Sequence, residues 1–86
     1  MKNKFIISSN GTKSWYKEGR RHREGGPAIE YSNGDKQWYK EGKCHREDGP
    51  AYEYANGNKY WYINGEQIIC KDNDEFLRLM KIKFLW

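Results

Sequence analysis

The amino-acid sequence repeats itself with a period of 23 residues, and this repeat limits the possible folds more than any other feature. Residues 10–32 and 33–55 are identical at 16 of 23 positions without a gap. A third copy begins at Asn56 and matches the second at 6 of 13 positions before it diverges. A half copy precedes the first, because residues 5–9 align with residues 28–32. Such a repeat predicts an array of stacked units with atypical ends.

Each unit carries the turn and strand signals of a β-hairpin. An Asn-Gly pair opens the unit and predicts a type I′ turn, in which both central residues have positive φ. A Trp-Tyr strand, a second turn and a strand of alternating apolar and acidic residues follow. The Asn-Gly pairs are at 10–11, 33–34 and 56–57, and the second turns are at 18–19, 41–42 and 64–65. We therefore predict pairs of short antiparallel strands that stack into a single-layer, twisted sheet.

The chain changes character after Cys70. Residues 71–75 offer helix-capping side chains and acids for a first helical turn, and residues 76–86 are mostly apolar. We expect a short helix over 72–86 that covers one face or end of the sheet. Its buried face would carry Phe76, Leu79, Met80, Lys83 and Phe84. Because residues 80–84 also alternate with a period of two, a strand is the alternative.

The composition supports a thin folded domain. A hydrophobic content of 36% and a charged content of 33% are typical of disordered chains, but 16% of the residues are aromatic, and disordered chains are poor in aromatics. We expect one domain over 1–86, with a repeat array over 5–70 whose units are 10–32, 33–55 and a truncated 56–70. No apolar run approaches the ~18 residues of a transmembrane helix. The beginning of the chain has too few apolar residues for a secretory signal.

The repeat carries the pattern Trp-Tyr-x-x-Gly-x-x-His-x-x-x-Gly-Pro, in which the run His-Arg-Glu-Asp-Gly-Pro-Ala is best kept at residues 45–51. It resembles the MORN repeat in its variant subfamily, over about residues 5–70. The resemblance implies a mainly β fold, a MORN-like tandem array of antiparallel β-hairpins, used for binding or assembly without catalysis. Chains with this run are familiar from phages and large DNA viruses. The resemblance therefore implies a viral accessory protein of the host cytoplasm that binds and inhibits a host protein, such as a defence component. The third copy departs from the pattern, because it lacks the His-Arg-Glu and Gly-Pro residues.

The aromatic rows are the candidate partner-binding surface. A one-layer sheet has two faces, and one short C-terminal segment cannot cover both, so one aromatic row is expected to be half exposed. The alternative is that the tail or a homodimer covers all the rings. Trp, Tyr and Arg also dominate interface hot spots. The candidate residues are Trp15, Tyr16, Arg23, Trp38, Tyr39, Arg46, Tyr52, Tyr54, Trp61 and Tyr62.

The arginines have two interpretations. Each precedes a glutamate, Glu24 or Glu47, and the plainer interpretation is an ion-pair ladder between adjacent units. The other is a row of guanidiniums that meets an acidic partner together with the lysines after the hairpin turns, Lys13, Lys36 and Lys59.

His22 and His45 recur one repeat apart, and we expect each ring to fix its own turn by bonding backbone groups. A metal or acid–base pair is the alternative, with Cys44 as the one extra ligand. We expect no metal, no cofactor and no enzymatic activity, because no nucleophile motif supports the histidines. Cys44 and Cys70 lack metal or disulfide spacing, which favours free thiols in a reducing, cytoplasmic compartment.

The charge distribution argues against a nucleic-acid binder. The net charge is +4, but the positive excess lies at the two ends and the body has no basic stripe. Binding of a nucleotide or nucleic acid by an aromatic and arginine face remains one alternative. A second is an antitoxin-like or structural self-assembling unit. In the tail, Phe84 and Trp86 are candidate homodimer contacts, which we favour over a membrane anchor.

Overall fold

The computed structural model describes residues 3–84, and for residues 83 and 84 it describes the backbone alone. Trp86 and the side chain of Phe84, the candidate dimer contacts, therefore lie outside the described part of the chain. The described part is mainly β, with antiparallel strands and one C-terminal helix. The elements are β1 (Asn3–Ile7), β2 (Lys13–Lys17), β3 (Arg20–Arg21), β4 (Ile29–Glu30), β5 (Lys36–Gln37), β6 (Tyr39–Lys40), β7 (Lys43–Cys44), β8 (Tyr52–Glu53), β9 (Lys59–Ile63), β10 (Glu66–Ile68) and α1 (Asn73–Phe84).

The Asn-Gly turns connect strands as predicted, but they are not type I′. The glycine has positive φ in all three turns, as in Gly11 (φ 91°), whereas the preceding asparagine does not. The Gly11 amide donates to the Ser8 carbonyl at 2.9 Å, and the Ser8 amide donates to the Thr12 carbonyl at 2.8 Å. This is a type I turn followed by a left-handed glycine bulge. The asparagine serves a different purpose, because Asn10 Oδ1 accepts a hydrogen bond from the Thr12 amide at 3.0 Å.

Positive φ at both central residues occurs instead in the second turn of each unit. Glu18 and Gly19 have φ values of 52° and 80°, and the same pattern recurs at 41–42 and 64–65. These are the tight hairpin turns that join β2 to β3, β6 to β7 and β9 to β10. The first unit therefore contributes three strand segments (β2 to β4) and the second contributes four (β5 to β8), rather than the single pair expected.

The strands follow one another across the molecule as an antiparallel sheet in the order β1-β2-β4-β5-β8-β9-β10, with β3 beside β2. The short pair β6–β7 is separate from this sheet, which differs from the single sheet predicted. The strand that corresponds to β2 is interrupted at Trp38 in the second unit, which leaves β5 before this residue and β6 after it. Even so, the Trp38 amide donates to the Ala51 carbonyl at 2.7 Å, just as the Trp15 amide donates to the Ala28 carbonyl at 2.8 Å. The units thus keep the same backbone connection.

The strand register divides the side chains between two faces. We call one the tryptophan face, because it carries Trp15, Trp38 and Trp61 in line with an alternating row of charges. That row runs through the register partners Lys13, Glu30, Lys36, Glu53 and Lys59. We call the other the tyrosine face, and its register partners are Ser14, Ile29, Gln37, Tyr52 and Tyr60, with Tyr16, Tyr39, Tyr54 and Tyr62 at alternate positions of the same strands.

The helix predicted from the acidic start is present. The Asp72 carboxylate accepts a hydrogen bond from the Glu75 amide at 2.9 Å and so caps the first turn. Phe76 and Met80 are fully buried against Trp61 and Ile63 on the tryptophan face. The helix therefore covers the C-terminal end of that face. Among the described residues, no helix is both long and apolar enough to span a bilayer.

Replacing Phe76 with alanine tests how far the domain depends on this contact. The Phe76→Ala variant is expected to lose about 3–5 kcal/mol of unfolding free energy, because a large core side chain leaves a cavity. Ile82→Ala is the matched control on the same helix, since Ile82 is 77% exposed, and its effect should stay within about 0.5 kcal/mol. Urea unfolding followed by tryptophan fluorescence measures both. Equal effects would contradict the packing of α1 on the sheet.

Candidate functional site

The guanidinium of Arg23 lies over the ring of the first tryptophan. Its Cζ atom is 3.8 Å from the centroid of the Trp15 ring. The same guanidinium donates to the Pro27 carbonyl at 3.2 Å and to the Glu30 carboxylate at 2.9 Å. The arginine is thus held by a ring, a carbonyl and a carboxylate of its own unit.

Arg46 repeats this arrangement in the second unit. Its Cζ atom is 3.9 Å from the centroid of the Trp38 ring, and it donates to the Pro50 carbonyl at 3.1 Å. It pairs with Glu53 at 2.7 Å and additionally with Asp48 at 2.8 Å. The repeat therefore conserves a complete local structure between its two copies and not only a strand pattern.

The glycine of each Gly-Pro-Ala sequence leaves room for the arginine. A Cβ atom added to Gly49 would lie 2.8 Å from Arg46 Cζ, and one added to Gly26 would lie 3.0 Å from Arg23 Cζ. The distance at Gly49 is shorter than real Cβ contacts, and the distance at Gly26 is tighter than nearly all of them. The invariance of this glycine between the two units follows from the close approach of the guanidinium, because neither glycine has positive φ.

These contacts correct both interpretations of the arginines. The ion pairs of Arg23 and Arg46 are not a ladder between adjacent units, because each joins a glutamate seven residues ahead in the same unit. Nor do the lysines form a row of free cations with them, since Glu30 lies between Lys13 and Lys36 in the register. The guanidiniums are occupied within the fold, so they are poorly placed to bind a partner's carboxylate.

The third tryptophan is covered in a different way. The position of Arg23 and Arg46 is taken by Ile69 in the third unit, which is 80% exposed. Trp61 contacts the Phe76 ring instead, at a centroid distance of 6.3 Å, and its Nε1 donates to Asn73 Oδ1 at 3.0 Å. Helix α1 thus substitutes for the missing arginine.

Each histidine bonds the turn of the next unit, not its own turn as expected. His22 Nδ1 accepts the Glu41 amide at 3.0 Å, and His45 Nδ1 accepts the Asn64 amide at 2.9 Å. Nε2 of His22 bonds the Glu24 carboxylate at 2.5 Å. An accepting Nδ1 carries no proton, so Nε2 is the nitrogen that donates to the carboxylate.

The histidines therefore connect successive units. These hydrogen bonds give the rings partners for a structural role, which is the role that the sequence predicts. The hydrogen bond from His22 also lowers the pKa of the Glu24 carboxyl from its ordinary value. Within residues 3–84, no group of three or more His, Cys, Asp or Glu side chains is placed to hold a metal ion.

The tyrosine face carries a cluster of contacting rings, which we call the tyrosine cluster. Centroid distances are 6.4 Å from Tyr39 to Tyr52, 5.0 Å from Tyr52 to Tyr62, 6.0 Å from Tyr52 to Tyr54 and 5.8 Å from Tyr54 to Tyr60. All five side chains are partly accessible to solvent, and Tyr60 is the most exposed. The cluster thus forms one continuous aromatic surface.

The hydroxyls of the cluster are partly ordered. Tyr39 donates to Gln37 Oε1 at 3.1 Å, so the 3.2 Å contact between the Tyr39 and Tyr52 hydroxyls has Tyr52 as the donor. Burial raises the pKa of Tyr52 and of Tyr54 above the ordinary tyrosine value. Both shifts favour the protonated form of these two hydroxyls.

The sequence-predicted partner residues divide between the two faces. The tryptophans and arginines lie together on the tryptophan face, and the predicted tyrosines lie on the other. Of these, Tyr16 is outside the tyrosine cluster, since none of the ring contacts found among the described residues involves it. Tyr60 was missed, although it precedes Trp61 in a strand and so alternates with Tyr62 on the same face.

Both cysteines are free thiols, as predicted. Cys44 lies opposite Tyr39 in the β6–β7 pair and is 7% exposed. Burial raises the pKa of its thiol from 9.0 to about 11. Burial also raises the pKa of Cys70, which is only partly buried.

Arg46→Lys tests the ring and carboxylate contacts of the arginine. A lysine keeps the charge but has no planar guanidinium, so we expect a loss of about 1–3 kcal/mol in unfolding free energy. Arg21→Lys is the control, because Arg21 is exposed and its Cζ lies 5.8 Å from the Tyr39 ring centroid. Urea unfolding compares the two. If both variants lose the same stability, the stacked arginine is not a special contact.

The thiol of Cys44 should react slowly in the folded protein. A pKa of about 11 instead of 9.0 reduces the thiolate fraction at pH 8 by about 100-fold, and burial restricts access as well. Reaction with a disulfide reagent at pH 8 should therefore be at least roughly tenfold slower for Cys70→Ser than for Cys44→Ala. Full reactivity of both variants in denaturant is the control. Equal rates in the folded state would contradict the burial of Cys44.

The same shift has a consequence for stability. Because the folded-state pKa of Cys44 is raised, its contribution to stability is complete below pH 9.0 and is lost as the pH rises through about 11.

The chain matches no protein-family model, no curated protein and no solved structure. The resemblance to the MORN repeat therefore stays a prediction, based on the residues of the repeat alone.

Proposed function

We propose that this chain is a non-enzymatic protein-interaction module that binds a protein partner through the tyrosine face, centred on the tyrosine cluster. The observation that carries the proposal is the continuous surface of five partly accessible tyrosine rings on the face that α1 does not cover. Tyrosine combines a large apolar area with a hydroxyl and is enriched at protein interfaces. The surface is therefore suited to a partner that offers both apolar and hydrogen-bonding groups.

The tryptophan face is less suited to the same task. Arg23 and Arg46 cover two of its rings, and α1 covers the third. Binding a partner there would require these internal contacts to break first. The sequence predicts a binding face of aromatic and arginine residues. Of these residues, the proposal keeps the tyrosines as the partner-binding surface.

The repeat itself supports this division. Between the first two units, the charged row and the tryptophan–arginine pairs of the tryptophan face are identical. The marked differences within strands lie on the tyrosine face, at Ser14/Gln37, Arg21/Cys44 and Ile29/Tyr52. One face thus repeats as a structural unit, while the other differs from unit to unit, as expected of a surface shaped for one particular partner.

Charge favours a protein over a nucleic acid. Every member of the tyrosine cluster falls in residues 33–75, where acidic side chains outnumber basic ones. Phosphate binding instead needs an excess of lysine and arginine near the stacking rings. The wider proposal, a viral accessory protein that inhibits a host defence component in the cytoplasm, is an extension that the resemblance to the variant MORN repeat supports.

Tyr62→Ser and Tyr16→Ser form a matched pair for testing the surface. The two tyrosines occupy the same position of the repeat and are both partly buried, but only Tyr62 belongs to the tyrosine cluster. The partner is first captured from host lysate with and without nuclease, identified by mass spectrometry and purified. We then expect calorimetry to give a roughly tenfold or larger loss of affinity for Tyr62→Ser, as for an interface hot spot, and little change for Tyr16→Ser.

Circular dichroism is the control for the folding of both variants. Capture of nucleic acid that nuclease removes would favour the nucleic-acid alternative. Unchanged affinity in Tyr62→Ser, or an equal loss in both variants, would contradict a site centred on the tyrosine cluster.

A further inference from the structure

Strand β1 forms an open apolar edge of the sheet. Among the described strands it pairs with β2 only, so its other side has no neighbour. Phe5, Ile6 and Ile7 are 49%, 42% and 59% exposed. Edge strands of monomeric proteins are usually protected by charge, proline or a bulge, because an unprotected edge pairs with other strands. The three consecutive apolar residues of β1 lack that protection.

The repeat shows what this position looks like when it is filled. Phe5-Ile6-Ile7 aligns with Ala28-Ile29-Glu30, and β4 at that position has strands on both sides, β2 and β5. Strand β8 likewise lies between β5 and β9. Ile29 is 2% exposed, whereas the equivalent Ile6 is 42% exposed. An isoleucine at this position is therefore buried when a strand occupies the second side.

Ile7 is the departure that makes the edge apolar. The equivalent residues Glu30 and Glu53 lie opposite lysines in the register, and Ile7 also lies opposite a lysine, Lys13. The pattern of the repeat would place a glutamate there as well. A glutamate at position 7 would pair with Lys13, and its charge would protect the edge. With isoleucine at this position, that favourable cross-strand pair is absent.

We propose that β1 pairs antiparallel with β1 of a second copy of this chain, which gives a two-fold symmetric dimer with one continuous sheet. The residues around Ile6 are self-complementary in that arrangement. With the two-fold axis at Ile6, Phe5 lies opposite Ile7 of the second copy and Lys4 lies opposite Ser8. Apolar side chains meet apolar side chains, and no like charges face each other.

Phe5 links this contact to the fold. The centroid of its ring is 4.8 Å from the centroid of the Trp15 ring. Phe5, Ile7 and Trp15 all lie on the tryptophan face. Pairing of β1 with a second β1 would extend this aromatic contact with two apolar residues of the other copy. The contact between the two β1 strands would bury apolar side chains on both faces of the sheet. Phe5 and Ile7 lie on the tryptophan face, and Ile6 lies on the tyrosine face.

A head-to-tail contact fits less well. It would continue the array by setting β1 of one copy beside β10 of another, because β10 is the strand at the opposite edge of the sheet. The apolar residues of β1 would then lie beside Glu66 and Gln67, which are polar and exposed. The two-fold pairing avoids this mismatch, and it closes after two copies rather than growing into a fibre.

The test is Ile7→Glu, which restores the residue that the repeat pattern favours. The new carboxylate lies opposite Lys13, so the monomer should be as stable as before, or more so, at low concentration. In the dimer the same carboxylate would face Phe5 of the second copy. We expect the mass of the unmodified chain to rise from 10.3 kDa toward twice that value with concentration, and the dissociation constant to increase roughly tenfold or more in the variant.

Ile69→Glu and Ile82→Glu are the matched controls, because both isoleucines are exposed and neither is on β1. Both should dimerise as the unmodified chain does, and so should Tyr62→Ser, which separates this proposal from the binding surface. Light scattering and sedimentation velocity over a concentration series give the masses, and hydrogen exchange should show concentration-dependent protection in β1. A chain that stays monomeric throughout, or a dimer that survives Ile7→Glu or is lost in a control variant, overturns the proposal.

Discussion

The stacking of an arginine guanidinium on a tryptophan ring is the contact on which this sheet depends. A single antiparallel layer has no second sheet to bury its aromatic rows, and the chain is only 36% hydrophobic. Arg23 and Arg46 solve this locally, because each guanidinium lies over a ring and donates to a carbonyl and a glutamate of the same unit. Each of the first two units thus covers its own tryptophan, and stability accumulates along the array rather than in one central core.

The aromatic rings at the two ends of the array are covered in different ways. At the C-terminal end, Ile69 replaces the arginine, and α1 buries Trp61 with Phe76 and Met80. This is the largest apolar cluster among the described residues, and it closes that end of the tryptophan face. At the N-terminal end, Phe5 lies beside Trp15 but the edge of β1 has no neighbour. The two ends of the array therefore differ. Helix α1 of the same chain covers the C-terminal end, whereas the β1 edge at the N-terminal end is able to accept a strand.

The sequence was sufficient to predict the repeat, the positions of the turns, the antiparallel strands and the helix, because each depends on local patterns. It did not reveal partners that the fold brings together. Glu41 adopts positive φ although non-glycine residues rarely do so, and its amide is bonded by His22 from the preceding unit. A reader of the sequence sees that histidine beside Arg21 and Arg23, not beside Glu41. Likewise, Arg23 is adjacent to Glu24 in sequence, but the pleat and the Gly-Pro corner bring it to Glu30 instead.

The separation of the two faces explains how so small a domain can carry both a fold and a recognition surface. Ring cover, ion pairs and the close approach at Gly49 all involve the tryptophan face, so a change there disturbs the structure directly. The strand positions that vary between units, such as Ile29 and Tyr52, lie on the opposite face and leave those contacts intact. A tyrosine can therefore be placed there for its exposed ring and hydroxyl without weakening the sheet. On this view, the tyrosine cluster arises where the repeat is free to vary, and this freedom depends on the arginine contacts behind it.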